Sequence, residues 1–135
     1  MRIAFGTDDT TPVTEELKAD LAALGHEVVV VADPMRWAEA GRAVGEAVAG
    51  GRADVGVVFC FTGTGVSIAA NKVRGVRAAL CADVETARDA RRWNDANVVA
   101  LSLRTTTVES GHDIIDAFLD NAPDGTEDDQ IALLR

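Results

Sequence analysis

Tyrosine is absent from this chain, and histidine occurs only twice, cysteine twice and proline three times in 135 residues. Two histidines leave acid–base chemistry short of its commonest agent. Two cysteines are too few for a disulfide framework, and each closes an apolar run, as a small buried residue does in a reducing compartment. No apolar run approaches the ~20 residues that cross a bilayer. The opening MRIAFG lacks the apolar stretch and small-residue cleavage site of a secretory signal. Cations are also scarce: 13 Lys and Arg stand against 22 Asp and Glu, giving a net charge of -9. That field repels nucleic-acid phosphates and anionic membrane surfaces, so neither is an expected partner. The sequence reads as a soluble, cytoplasmic protein.

A chain of this length with 47% hydrophobic residues can bury one core. One domain is expected over residues 1–122, followed by an acidic tail at 123–135. Short β-branched runs alternate with helical patterns, the signature of βαβ units on a parallel sheet. Five strands are expected at Arg2–Phe5, Glu27–Val31, Val55–Cys60, Arg77–Cys81 and Val98–Leu101. Thr11-Pro12 caps a first helix that ends at Gly25. Others are expected at Met35–Ala49, just after the glycine turn through Ala70, at Val84–Trp93 and at Val108–Leu119. The fold class is therefore α/β, a Rossmann-like three-layer αβα sandwich on a five-stranded parallel sheet. The tail reads as turn-rich, with a final IALLR that docks or frays.

Such a sheet binds ligands beyond the carboxyl ends of its strands. The richest segment there is Cys60 to Lys72, CFTGTGVSIAANK. A strand ending in Cys60, then Thr62, Gly63, Thr64 and Gly65 and a helix, gathers backbone N–H groups at a positive helix end. Such a ring suits a phosphate or the negative oxygen of an enediolate. The same field favours a thiolate, which makes Cys60 a candidate base or nucleophile; the alternative is a tight turn beside an inert cysteine. The spacing is neither a Walker loop nor a dinucleotide-binding glycine motif. No spacing resembles a zinc site, and Asp8-Asp9 alone is weak support for a metal. No metal and no cofactor are expected.

These residues resemble a known family. CFTGTGVSIAANK, with VRGVRAALC at Val73–Cys81 and NDANVVAL at Asn94–Leu101, is similar to ribose-5-phosphate isomerase B and the galactose-6-phosphate isomerase subunits. The opening IAFGTDDT is similar to their first strand, and the similarity runs to Arg104. The resemblance implies aldose–ketose isomerisation through a cis-enediolate on a small carbohydrate-like substrate. It also implies a homodimer with shared active sites. On this basis Cys60 is the base and Thr62 orients the substrate or assists ring opening. Gly63, Thr64 and Gly65 hold the enediolate, Asp8 holds sugar hydroxyls, Asn94 comes from the partner subunit, and Arg104 belongs to the phosphate site.

The departures from that pattern are as informative. Asp9 and Trp93 stand where the family has histidines, one contacting phosphate and one opening the sugar ring. Phe61 replaces a loop glycine, and an acidic tail replaces a C-terminal arginine pair. A carboxylate beside a phosphate repels it, so the expected substrate is other than an ordinary phosphopentose. Asp9 becomes a hydroxyl or amine binder and Trp93 a face for stacking. A non-catalytic small-molecule binding or regulatory protein on the same scaffold is the alternative, with a different activity at Asp9 and Cys60 a third. Trp37, in an amphipathic helix, reads as core or dimer interface.

Overall fold

A computed structural model describes residues 1–135. Five parallel strands form one sheet in the order β2-β1-β3-β5-β4: β1 Arg2–Thr7, β2 Glu27–Ala32, β3 Val55–Cys60, β4 Ala78–Leu80 and β5 Val98–Ser102. Every β3 residue is buried, as an all-apolar run in a sheet covered on both faces should be. Helices α1 Pro12–Ala23, α4 Val84–Asn94 and α5 Val108–Leu119 cover one face. Leu17, Leu21, Ala87, Ile114, Ile115 and Phe118 from these helices pack there on Ile3, Phe5, Val57 and Leu101. Helices α2 Trp37–Ala49 and α3 Thr64–Asn71 cover the other, through Ala40, Val44, Ala47, Val66 and Ala70. The three-layer α/β sandwich expected from the sequence is thus present. No helix is long and apolar enough to cross a membrane.

Local chemistry sets the boundaries. Thr11 and Thr14 cap α1 reciprocally, and Thr107 and Ser110 do the same for α5. Helix α2 starts at Trp37, two residues later than expected, because the Met35 amide donates to the Thr7 carbonyl and ties residues 33–36 to the end of β1. Strand β4 is one residue shorter at each end than expected, an edge strand whose Ala78 backbone pairs with the Asn71 side-chain amide through both its N–H and its C=O. The tail neither frays nor stays a turn throughout: Asp128–Ala132 forms a short α6 that seats Ile131, 5% exposed, against the domain.

Strand order reverses between β1 and β3. The chain leaves β1 for β2 on one side and returns for β3 on the other, which opens a crevice at the carboxyl ends of these two strands. Asp8 follows β1 and Cys60 ends β3 at that crevice, with Thr7 in register with Phe59.

Candidate active site

The Cys60 side chain is only 4% exposed, yet it lines a cavity of about 260 Å³. Asp8, Trp37, Phe61, Thr62, Thr64 and Gly65 form the rest of the wall. Sequence reasoning named five of these seven residues as site residues. Trp37 and Phe61 are the two the sequence does not single out as site residues; Trp37, expected as core or dimer interface from its amphipathic helix, is not in the core but 47% exposed in the cavity wall.

Gly63 creates the turn between β3 and α3. Its φ of +78° is left-handed, and a Cβ there would stand 2.5 Å from Leu80 Cδ1 and 3.0 Å from the Leu101 carbonyl carbon. Only glycine fits. Thr64 and Gly65 belong to the first turn of α3 rather than to the loop before it, because the Gly63 carbonyl already accepts from Ser67 N. The amides of Gly63, Gly65 and Val66 donate to no backbone carbonyl, leaving them free as helix N-terminal donors. The Thr64 amide approaches Thr62 Oγ1 at 3.4 Å, and the Thr62 and Thr64 hydroxyls are 2.6 Å apart. From the strand side, Leu103 N donates to the Cys60 carbonyl at 2.9 Å, and Ser102 Oγ donates to the Phe61 carbonyl at 2.9 Å.

Asp8 is fixed by its own amide, which donates to the Phe59 carbonyl at 3.1 Å and extends the β1–β3 ladder past the strand. Burial, with the neighbouring Asp9 charge adding to it, pushes the Asp8 carboxyl above its ordinary value. Behind it, Asp33 accepts from the Thr10 hydroxyl at 2.7 Å and pairs with Lys18, which also bonds Glu15. Burial works against the Asp33 charge, but Lys18 and Thr10 outweigh it and hold its pKa below the ordinary value; Asp33, then Glu15, raises that of Lys18. This network clamps the loop after β1, which carries Asp8, to the loop that leads into Trp37 at the start of α2.

The other expected site residues lie elsewhere. Asp9 is exposed and outside the cavity wall, its N–H and C=O closing a turn on the Thr7 hydroxyl at 3.2 and 2.7 Å. Arg104 is not in the cavity wall itself; its guanidinium carbon lies 5.5 Å from the ring centroid of Phe61, which is. Trp93 is 45% exposed under the Arg92 guanidinium, and Asn94 lines a separate groove of about 570 Å³ with Asn71, Leu80 and Leu134. Neither lines the Cys60 cavity of its own chain. Of the NDAN residues, Asp95 takes the left-handed C-cap of α4 and Asn97 braces Arg77 and Gly75, so both act in the framework.

Residues 3–132 of this α/β sandwich match the ribose/galactose isomerase family. The chain is 40% identical over 135 residues to the galactose-6-phosphate isomerase subunit LacB of Clostridium acetobutylicum, covering 96% of this chain and 78% of that one. It is 38% identical over 126 residues to ribose-5-phosphate isomerase B of Escherichia coli, covering 87% and 83%. The solved ribose-5-phosphate isomerase B of Clostridium thermocellum superposes with a TM-score of 0.94 at 35% identity, over 99% of this chain and 95% of that one. The protein belongs to the ribose/galactose isomerase family.

Proposed function

We propose that this protein is an aldose–ketose isomerase that works through a cis-enediolate with Cys60 as base, on a substrate other than an ordinary phosphopentose. One observation carries the reading. A cysteine opens into a cavity that it shares with a helix start, where the Gly63 and Gly65 amides have no backbone acceptor. In the open-chain aldose the Cys60 thiolate takes the proton from C2, and the electron pair passes to the carbonyl oxygen on C1. The Gly63 to Gly65 amides stabilise that oxygen. The thiol then returns its proton to C1 while the hydroxyl proton moves from O2 to O1, giving the ketose with no atom gained or lost. Thr62 orients the substrate, and Asp8 holds a hydroxyl.

The relatives are named for ribose 5-phosphate and galactose 6-phosphate. The cavity wall here holds the Asp8 carboxylate, and the Arg104 guanidinium lies over Phe61 of that wall. The exposed Asp9 stands where the family has a phosphate-contacting histidine, and a phosphate charge about 4 Å from its carboxylate would cost about 4 kcal/mol at an effective dielectric of about 20, which argues against the ordinary phosphopentose. Trp93 and Asn94, outside the Cys60 cavity of their own chain, fit a homodimer in which each subunit completes the other's site.

The test is exchange of the substrate's alpha proton with deuterated water, run across free aldoses and sugar phosphates. Cys60→Ala should abolish exchange while the protein stays folded; unchanged exchange removes Cys60 from the mechanism. A second reading, small-molecule binding without turnover, is favoured by the Thr62–Thr64 contact, which turns two of the cavity's donors on each other. Thermal stabilisation by a sugar that shows no exchange would select it.

A further inference from the structure

Phe61 is an apolar side chain in an unusual place. Its ring is 61% exposed and lines the Cys60 cavity, where the resemblance leads one to expect glycine. Its backbone is held twice, because its carbonyl accepts from Ser102 Oγ and from Arg104 N, each at 2.9 Å. That second bond brings the two residues side by side, and the Arg104 guanidinium carbon lies over the Phe61 ring, 5.5 Å from its centroid. Arg104 takes part in no ion pair. A guanidinium held over a ring by cation–π attraction loses rotational freedom and still has N–H donors to offer, a state suited to a bidentate oxyanion.

We propose that Phe61 is a positioning residue: its ring fixes the plane of the Arg104 guanidinium at the mouth of the Cys60 cavity, where the guanidinium N–H donors take a terminal oxyanion of the substrate. The inference rests on the isomerase reading only in taking that cavity as the substrate site. A carboxylate and a phosphate share the chemistry required, so the experiment has one arm for each. A single planar fork held in this way compensates one charge, which accounts for a site that works with Arg104 where the resemblance calls for additional cations near the C-terminus.

The test follows the Arg104 side-chain Nε–H signal by NMR in the full chain. In the wild type the ring should shift this signal upfield, and titration with D-ribose 5-phosphate in one arm and D-glucuronate in the other should move it in at least one. Phe61→Tyr should keep both effects. Phe61→Leu should lose the upfield position and bind the responding probe about three- to fivefold more weakly, the scale of an exposed cation–π contact. Arg104→Gln should abolish binding. Unaltered binding in Phe61→Leu, or an Arg104 signal that answers neither probe, overturns the proposal. Absence of proton exchange in the wild type would instead overturn the isomerase reading and leave these binding results standing.

Discussion

The Trp37 indole lies directly over Gly65, so that a Cβ on residue 65 would stand 2.7 Å from its Cε3 and 2.9 Å from its Cδ2. The glycine therefore brings α2 and α3 together at the cavity and lets an aromatic face form one wall. Trp37 is 47% exposed and has room to swing away. Gly65→Ala should consequently cost little stability, within about 1–2 kcal/mol, the mild end of overpacking. It should nevertheless displace the indole and raise KM for whatever substrate turns over. In a Trp93→Phe background, Trp37 emission should shift to the red in Gly65→Ala. An unchanged spectrum would show that the ring does not depend on the glycine.

Gly63 behaves differently because two of its three near neighbours are main chain and cannot give way. Its left-handed backbone and the Leu101 and Ser102 main chain at 3.0 and 3.1 Å make Gly63→Ala both strained and overpacked. The two effects together should cost about 2–4 kcal/mol. A urea midpoint within error of the wild type would refute this account of the turn.

The two cysteines should differ in reactivity, and Cys81 should make stability depend on pH. Burial, with Asp83 adding to it, pushes the Cys81 thiol from 9.0 up to about 11, and its Sγ donates to the Ala79 carbonyl at 3.6 Å. In the unfolded chain the thiol ionises near its ordinary value, so between about pH 9 and 11 the folded state holds more protons. Stability is fully present below that window and falls as pH rises through it, by up to about 3 kcal/mol. Cys81→Ala should flatten the fall; an equally steep loss in that variant would assign it to other groups. At pH 8 iodoacetamide should label Cys60, which opens to a cavity, and spare Cys81.

The architecture and the Cys60 loop were legible because both rest on local pattern. Apolar strand runs, a Thr-Pro cap and a glycine turn act within a few residues of themselves. Trp37 and Phe61 were not legible as a pair of cavity walls, because their meeting depends on the tie between Met35 and Thr7 and on the Ser102 and Arg104 bonds to the Phe61 carbonyl. Long-range hydrogen bonds of this kind leave no periodicity. The motif SIAANK illustrates the converse: Asn71 is conspicuous in the sequence, and in the fold it caps an edge strand.

The tail was also hidden, since its acidity suggested a solvated end. In the structure Asp124 pairs with Arg92 and its amide donates to the Arg92 carbonyl, while Ile131 is buried. Arg135 reaches Asp95 at 3.8 Å, next to Asn94. Ile131→Ala should therefore lower stability by about 2 kcal/mol, the lower end for truncating a buried isoleucine, since this contact lies at the edge of the core. A Tm equal to that of the wild type would mean that α6 does not hold its place in solution.

The most demanding prediction concerns Trp93 and Asn94. Both are exposed at the end of α4, and neither lines the Cys60 cavity of its own chain. If each subunit supplies Asn94 to its partner, Cys60→Ala and Asn94→Ala homodimers should both be inactive for opposite reasons. A mixed dimer would then contain one site with both defects and one with neither. Co-refolding the two variants in equal amounts should give about half of the dimers as mixed species, and hence about a quarter of the wild-type proton exchange per subunit. Recovery of that level requires both a dimer and a site built across it. No recovery, in a sample that sedimentation shows to be dimeric, would place Asn94 in the framework beside Asp95 and Asn97 and leave the Cys60 cavity to its own chain.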